Sequence, residues 1–79
     1  MRLNELIKGR AARVAGVDAD DPILAIKLRQ LGFAEGDHVE RLYAGPFGAA
    51  PLGFRLNRTV VALRAEEAAA IHVELETDA

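Results

Sequence analysis

The sequence of 79 residues contains no cysteine and no serine. Without these side chains the usual nucleophilic triads cannot be assembled, and the two threonines, Thr59 and Thr77, fall at a predicted strand start and near the end of the sequence. Because no disulfide can form, packing alone must hold the domain together, which is typical of a reducing compartment. We therefore predict a cytoplasmic protein that is not an enzyme.

Long apolar segments and a strong charge of one sign are also missing. No stretch approaches the length of a membrane span, and the first residues carry an early acidic side chain, Glu5, and no signal-peptide core. The net charge of −2 argues against a general nucleic-acid-binding surface. The sequence thus predicts a soluble chain with no nucleic-acid partner and no direct membrane insertion.

The length and composition indicate one small domain over residues 1–79. A chain of this size buries only about 60% of the surface that its unfolded form exposes, which leaves no room for a deep catalytic cavity. Aromatic residues make up 5% of the sequence, so the core must consist mainly of Leu, Val, Ile and Ala.

The clearest predicted element is a helix over Pro22–Leu31. Asp21 can accept a hydrogen bond at its N-terminus, and proline is well suited to the first helical position. Gly32 is predicted to end the helix with a positive φ, with Phe33 folding back on Leu28. The expected buried stripe consists of Leu24, Leu28 and Leu31, flanked by Ile23 and Ile26.

Apolar residues at every second position predict five short strands. They cover residues 10–17, 38–43, 52–56, 59–63 and 71–75. Leu3 to Leu6 and residues 65–69 are each expected to form a single turn, Gly16 to bend or bulge the first strand, and Asn57 with Arg58 to close a tight hairpin. Five short strands with one principal helix predict a mainly β fold, a closed or nearly closed small barrel.

The acidic pairs and the glycine-rich segment favour structural roles over catalysis. Asp20-Asp21 and Glu66-Glu67 each precede or begin a predicted helical turn, where carboxylates cap exposed N–H groups. Residues 45–48 lack both the spacing and the Lys-Ser/Thr pair of a phosphate-binding loop. We therefore predict no catalytic residues.

Two other kinds of site have some support in the sequence. His38 and His72, with nearby carboxylates, could hold a metal ion, but they form no compact ligand motif, and we predict two surface histidines, no metal site and no cofactor. Five arginines could converge on one side of the barrel, although the aromatic partners usual on nucleic-acid-binding barrels are few, so solvated charges are the favoured interpretation. These are Arg10, Arg13, Arg55, Arg58 and Arg64.

The segment 45–51 carries an unusual combination of residues for a solvated loop. Phe47 lies between two prolines and follows Tyr43 in sequence. One interpretation is that Phe47 covers an open end of the barrel. The other is an apolar docking patch centred on Phe47, with Tyr43 and Pro51 around it, and with Arg58 if the fold brings that residue close.

Taken in order, these elements resemble the FeoA domain family. The resemblance is carried by four segments spread over nearly the whole chain. They are Leu3-x-x-Leu6-x-x-Gly9, Leu28-Arg29-Gln30-Leu31-Gly32-Phe33-x-x-Gly36, Gly45-Pro46-Phe47-Gly48-x-x-Pro51 and Val61-Ala62-Leu63-Arg64-x-x-Glu67-Ala68-x-x-Ile71-x-Val73. The family loop commonly contains Gly-Asp-Pro, whereas Gly48-Ala49-Ala50-Pro51 lacks the acid and is one residue longer.

The resemblance implies an SH3-like barrel and an accessory role in ferrous iron transport. It implies a non-catalytic module that binds and modulates the cytosolic part of the membrane transporter FeoB. Two alternatives stay open: a small iron-binding or iron-delivery protein, and a detached C-terminal module of an iron-dependent repressor, whose C-terminal domain is similar.

Overall fold

The computed structural model describes residues 1–44 and 51–76, and this part of the chain forms five strands and two short α-helices. In chain order these are a 3-10 turn at Leu3–Glu5, β1 at Ala11–Val17, α1 at Pro22–Leu31, β2 at His38–Ala44, β3 at Leu52–Leu56, β4 at Thr59–Leu63, α2 at Ala65–Ala68 and β5 at Ile71–Leu75. The five predicted strands and the principal helix are confirmed.

The strands form one antiparallel sheet in the order β4-β3-β2-β1-β5. Its register shifts at two places, between Val14 and Gly16 on β1 and between Arg41 and Tyr43 on β2. Such bulges bend a strand and increase its twist, which helps so small a sheet to wrap around its core. The predicted bulge at Gly16 is confirmed. The fold is barrel-like, but within the described residues β4 and β5 remain the two edges of an open sheet.

Both ends of α1 follow from the residues that flank it. The Ile23 N–H donates to Asp21 Oδ1 at 2.9 Å, and Pro22 takes the first helical position. Gly32 has a φ of 109°, and the Phe33 N–H donates to the Leu28 carbonyl at 3.2 Å. The predicted helix limits and the positive φ of Gly32 are thus confirmed.

The predicted buried stripe of α1 is only partly correct. Leu28 alone is fully buried and Leu24 is partly buried, whereas Leu31, Ile26 and Ile23 are 39%, 54% and 77% exposed. A ten-residue helix on a sheet of five short strands brings little more than one turn into the core. Phe33, just beyond the helix, is 1% exposed and supplies the core volume that the helix does not.

The core is filled from one face of the sheet and from the turn before β1. Leu3 and Leu6 are both buried, which confirms the predicted turn at the start of the chain. The other buried apolar side chains of the described residues are Ala12, Val14, Leu28, Phe33, Val39, Leu52, Phe54, Leu56, Leu63, Ala68, Ala70, Ile71 and Val73.

The two edges of the sheet are finished differently. At β5 the first residues of the chain lie alongside the strand: Arg2 bridges to His72, and the Val73 N–H donates to the Met1 carbonyl at 2.8 Å. At the other side β3 and β4 form the predicted hairpin, whose turn residue Asn57 has a φ of 55°. Asparagine tolerates this left-handed conformation better than most residues do.

Candidate partner-binding site

The segment 45–51 joins β2 to β3 at one end of the sheet, which we call the loop end. The last pairs before it are Ala44 with Leu52 and Tyr43 with Gly53. Phe47 and the rest of residues 45–50 lie outside the described part of the chain. Pro51 is exposed next to Leu52, which is buried. The structure therefore places Tyr43, through its backbone, and Pro51 at the base of the same connection.

Arg41, on β2, contacts both the neighbouring strand β3 and the residues that precede β1. Its guanidinium lies over the Phe54 ring, 5.8 Å from the ring centre, and donates to the Leu6 carbonyl at 2.7 Å. Its Nε atom is buried and has no hydrogen-bond partner among the described residues. Arg41 was not among the residues predicted from the sequence, although its position two residues after Val39, which is buried, could have indicated an inward-facing side chain.

An exposed apolar cluster lies where the first residues of the chain meet the end of β5. Met1, Ile7 and Leu75 are 51%, 63% and 41% exposed, and with Leu6 they line a cleft of about 130 Å³. Strand pairing brings them together, because Leu75 pairs with Ala12 near the start of β1 and the Val73 N–H donates to the Met1 carbonyl. Exposed apolar side chains that adjoin one another are typical of interaction surfaces.

Arg58 lies elsewhere. It belongs to the turn between β3 and β4, and this turn lies at the opposite end of β3 from Pro51. Five residues of extended strand separate the two, a distance of roughly 15 Å. Arg58 therefore does not lie beside Pro51, and its position relative to Phe47 falls outside the described residues. We call this opposite end, which also includes the start of β2, the turn end.

Polar contacts join the start of β2 to β1 and to Glu76, the residue that follows β5. His38 Nδ1 lies 2.9 Å from Glu76 Oε1, and Arg13 Nε lies 3.2 Å from the same oxygen. Arg13 also donates to the Gly36 carbonyl at 3.0 Å, and the Asn57 N–H donates to the His38 carbonyl at 2.9 Å. These contacts tie the start of β2 to β1 and to the residues that follow β5.

The two histidines have separate partners. His72 Nε2 lies 3.4 Å from Asp18 Oδ2, whereas His38 faces Glu76. They sit on strands on opposite sides of β1 and pair with different residues of it, Arg13 and Gly16. Across the described part of the chain, no three His, Cys, Asp or Glu side chains are grouped as metal ligands.

The acidic residues near the helices act as caps and ion pairs. Glu67 accepts from the Arg64 N–H at 2.8 Å and from Lys27 Nζ at 2.6 Å, which ties α2 to α1. The Lys27 hydrogen bond, followed by that from Arg64, lowers the pKa of the Glu67 carboxyl. Asp21 caps α1 and Glu67 caps α2, so one residue of each acidic pair, Asp20-Asp21 and Glu66-Glu67, has the predicted structural role.

The arginines considered for nucleic-acid binding are dispersed. Arg13 pairs with Glu76, and Arg55 lies 3.9 Å from Glu40 on the neighbouring strand. Arg58 and Arg64 mark the two ends of β4. The described residues thus contain no single basic face built from these side chains.

A family model, the FeoA domain, matches residues 1–75. The chain belongs to the FeoA domain family. FeoA proteins are linked to ferrous iron transport and are not a known family of enzymes. No helix in the described segments is both long enough and apolar enough to cross a membrane. No curated protein matches the sequence.

Two solved FeoA structures are similar over nearly the whole chain. FeoA from Chlorobium tepidum is 31% identical, with a TM-score of 0.86, over 98% of this chain and 71% of that one. FeoA from Stenotrophomonas maltophilia, solved with zinc and described as a prokaryotic SH3 domain protein, is 36% identical, with a TM-score of 0.83, over 94% of this chain and 89% of that one. The predicted SH3-like fold is thereby confirmed.

A repressor domain shares the fold. A manganese-dependent transcriptional repressor is 21% identical to this FeoA domain, with a TM-score of 0.85, over 96% of this chain and 41% of that one. Identity at this level shows a common fold and nothing more. The interpretation as a detached repressor module is therefore not favoured over a FeoA domain.

Proposed function

We propose that this FeoA domain is a non-catalytic accessory that binds and modulates the cytosolic part of a FeoB-type ferrous iron transporter. Membership of the FeoA family supports the link to iron transport. The Stenotrophomonas maltophilia protein has itself been put forward as an activating factor of bacterial ferrous iron transport. Binding, rather than chemistry, suits a domain of this size that lacks cysteine and serine.

The observation that carries the proposal is the exposed apolar cluster of Ile7, Met1 and Leu75. The Leu6 carbonyl, next to Ile7 in sequence, accepts a hydrogen bond from Arg41 on β2, the strand that leads to the segment containing Phe47. Binding energy at protein interfaces concentrates in a few aromatic or arginine side chains surrounded by near-neutral contacts. Phe47 is the aromatic residue of this segment, and Tyr43 and Pro51 flank it in sequence.

The prolines add to the case for Phe47. Pro46 and Pro51 restrict the backbone on either side of it, so less conformational entropy is lost when a partner orders the segment. Phe47 is therefore the proposed centre of the binding surface, with Tyr43 and Pro51 at its border. Arg58, at the turn end, is left outside.

The test is the affinity of Phe47→Ala for the isolated cytosolic GTP-binding domain of the transporter. We expect binding to weaken by about 2 kcal/mol, or roughly thirtyfold, with an almost unchanged thermal midpoint. Ile23→Ala is the matched control, because Ile23 is an apolar residue of α1 that is 77% exposed and belongs to a different element from the residues of the proposed surface. It should bind as the parent does.

Three results would contradict this assignment. A large loss of stability in Phe47→Ala would mean that the side chain covers the core. Unchanged binding and stability would remove the segment from the interface. Weakened binding in Ile23→Ala alone would move the interface to α1.

Iron delivery is the competing function, and titration with ferrous iron under anaerobic conditions separates the two. Delivery requires stoichiometric binding by the domain, whereas modulation does not. We predict no tight site, since the two histidines lie on different strands and the described residues contain no group of three His, Cys, Asp or Glu side chains that could hold a metal ion. Stoichiometric, histidine-dependent binding of Fe²⁺ would favour delivery.

A further inference from the structure

The outer edge of β4 has an unusual composition for the border of a sheet. The strand is Thr59-Val60-Val61-Ala62-Leu63, without a charged residue, a proline or a bulge. Within the described residues, no hydrogen bond beyond the β3–β4 pairing involves it. Exposed strand edges usually carry charge, proline or a covering segment, because their free N–H and C=O groups pair readily with other chains.

The register shows which groups β4 offers. Leu56 and Thr59 close the two-residue hairpin, so Thr59, Val61 and Leu63 direct their backbone groups to β3. Val60 and Ala62 therefore direct their N–H and C=O groups away from the sheet. Both side chains are exposed, Val60 to 55%.

A positive charge lies at each end of this edge. Arg58 immediately precedes β4 and Arg64 immediately follows it, and both are exposed. No carboxylate among the described residues lies within 4.0 Å of either guanidinium. A strand added here would meet five uncharged residues between two arginines.

We propose that the edge of β4 binds an extended segment of a partner protein in which a short uncharged stretch is flanked by acidic residues. Backbone hydrogen bonds to Val60 and Ala62 supply the affinity, as in other cases of strand addition. The flanking carboxylates pair with Arg58 and Arg64, which sets the register in either strand direction. The Arg64 end of this edge lies near Pro51, because Leu63 pairs with Leu52, but the strand edge is a different surface from the proposed patch around Phe47 and goes beyond the proposed function.

Charge also argues against a second copy of this chain as the occupant. The antiparallel register that aligns all of β4 with its copy pairs Val60 with Ala62 and therefore sets Arg58 opposite Arg64. Like charges directly opposite each other on neighbouring strands are destabilising. The opposite edge of the sheet is less open to addition, because Met1 and Arg2 already pair with β5.

The test uses the whole chain and the synthetic peptide acetyl-Glu-Thr-Val-Thr-Val-Thr-Glu-amide, followed by NMR hydrogen exchange. In the free protein the amide protons of Val60 and Ala62 should exchange rapidly. At saturating peptide their exchange should slow by at least about tenfold, because they become hydrogen-bonded. Amides of β4 that already pair with β3 should change little.

Three peptide variants and two protein variants, with one control variant, isolate the causes. Alternate amides of a bound strand face its neighbour, so N-methylation of one alternate set should abolish binding and methylation of the other should preserve it. A peptide flanked by lysine should bind at least about tenfold more weakly. Arg58→Gln and Arg64→Gln should each weaken binding about twofold or more, whereas Arg29→Gln, on α1, should not.

Several results would overturn the proposal. These are amides of Val60 and Ala62 that are already protected in the free chain, no protection at millimolar peptide, equal binding of both methylated peptides, and equal binding of the lysine-flanked peptide. Concentration-dependent pairing of β4 with its own copy would assign the edge to a second molecule instead. Because the probe is a peptide and the readout is on β4, failure here leaves the Phe47 test unaffected.

Discussion

Two neighbouring surfaces of the domain differ in what they expose. His38, Arg13 and Glu76 form a polar cluster that joins β2, β1 and the residue after β5. Ile7, Met1 and Leu75 form an apolar cluster where the first residues of the chain meet the end of β5. Glu76 directly follows Leu75, so the two clusters are separated by the direction of their side chains and not by distance along the sheet.

This separation suits a binding module. A contact surface can carry exposed apolar groups only if other parts of the molecule hold the fold together, since such groups contribute little to stability while they face water. The buried core and the polar cluster fulfil that requirement here. Changes to them should therefore affect stability, whereas changes to the exposed residues of the apolar cluster should affect binding.

Arg41 gives the strongest test of that division, because it binds the Leu6 carbonyl beside the apolar cluster but is itself part of the packing. Arg41→Ala should lower the free energy of unfolding by about 2 kcal/mol, since it leaves the Leu6 carbonyl without its donor and removes the cation from the Phe54 ring. Urea denaturation measures this effect. Arg41→Lys, which keeps the charge but not the planar group, should recover part of the loss. A change below about 0.5 kcal/mol would show that the turn before β1 is held without Arg41.

Gly32 tests the turn end. Gly32→Ala should destabilise by about 1 kcal/mol, because its φ of 109° is strained for any residue with a Cβ and because that Cβ would lie 3.4 Å from Leu56 Cδ2. Gly16→Ala is the matched control: Gly16 lies at a bulge, lacks a positive φ and has open space around it. Thermal denaturation of both variants measures the difference. Equal midpoints would mean that the end of α1 adjusts without strain.

The smallest effect should come from Glu67, whose contacts belong to neither cluster. Folding lowers its pKa below the ordinary value of 4.5, so its ionised form stabilises the native state above that pH and loses the contribution as the pH falls through the lowered pKa. Glu67→Gln should cost about 0.5 kcal/mol at pH 7, because it keeps the cap but loses the pair with Lys27. Urea denaturation at neutral and acidic pH should show the two proteins converging below pH 4.5. A constant difference would assign the effect to the cap instead.

Local signals predicted most of the fold. Asp21, Pro22 and Gly32 define α1, and Asn57 defines the hairpin, because these residues act through hydrogen bonds or backbone preferences within a few positions of themselves. The burial of α1 was predicted less well. The spacing of Ile23 and Ile26 suits a helix near a core, but how far the helix reaches over the sheet depends on packing between distant segments.

The site was harder to predict for the same reason. Sequence proximity indicated Tyr43 and Pro51 as neighbours of Phe47, whereas the exposed cluster of Met1, Ile7 and Leu75 joins the two termini of the described chain through strand pairing. Arg58 lies only seven residues after Pro51 in sequence but at the other end of a strand. No local sequence pattern indicates which of these distant residues become neighbours in space.

The position of β1 in the sheet has a consequence for the order in which the chain can fold. β1 is synthesised before the other strands, whereas one of its two neighbours, β5, is synthesised after all of them. The Val73 N–H of β5 also donates to the Met1 carbonyl. The long separation between these partners makes their pairing slow compared with the β3–β4 hairpin. On a ribosome, the backbone groups of β1 that pair with β5 therefore stay unpaired until residues 71–75 have emerged. A chaperone that protects nascent β1 would act during this interval.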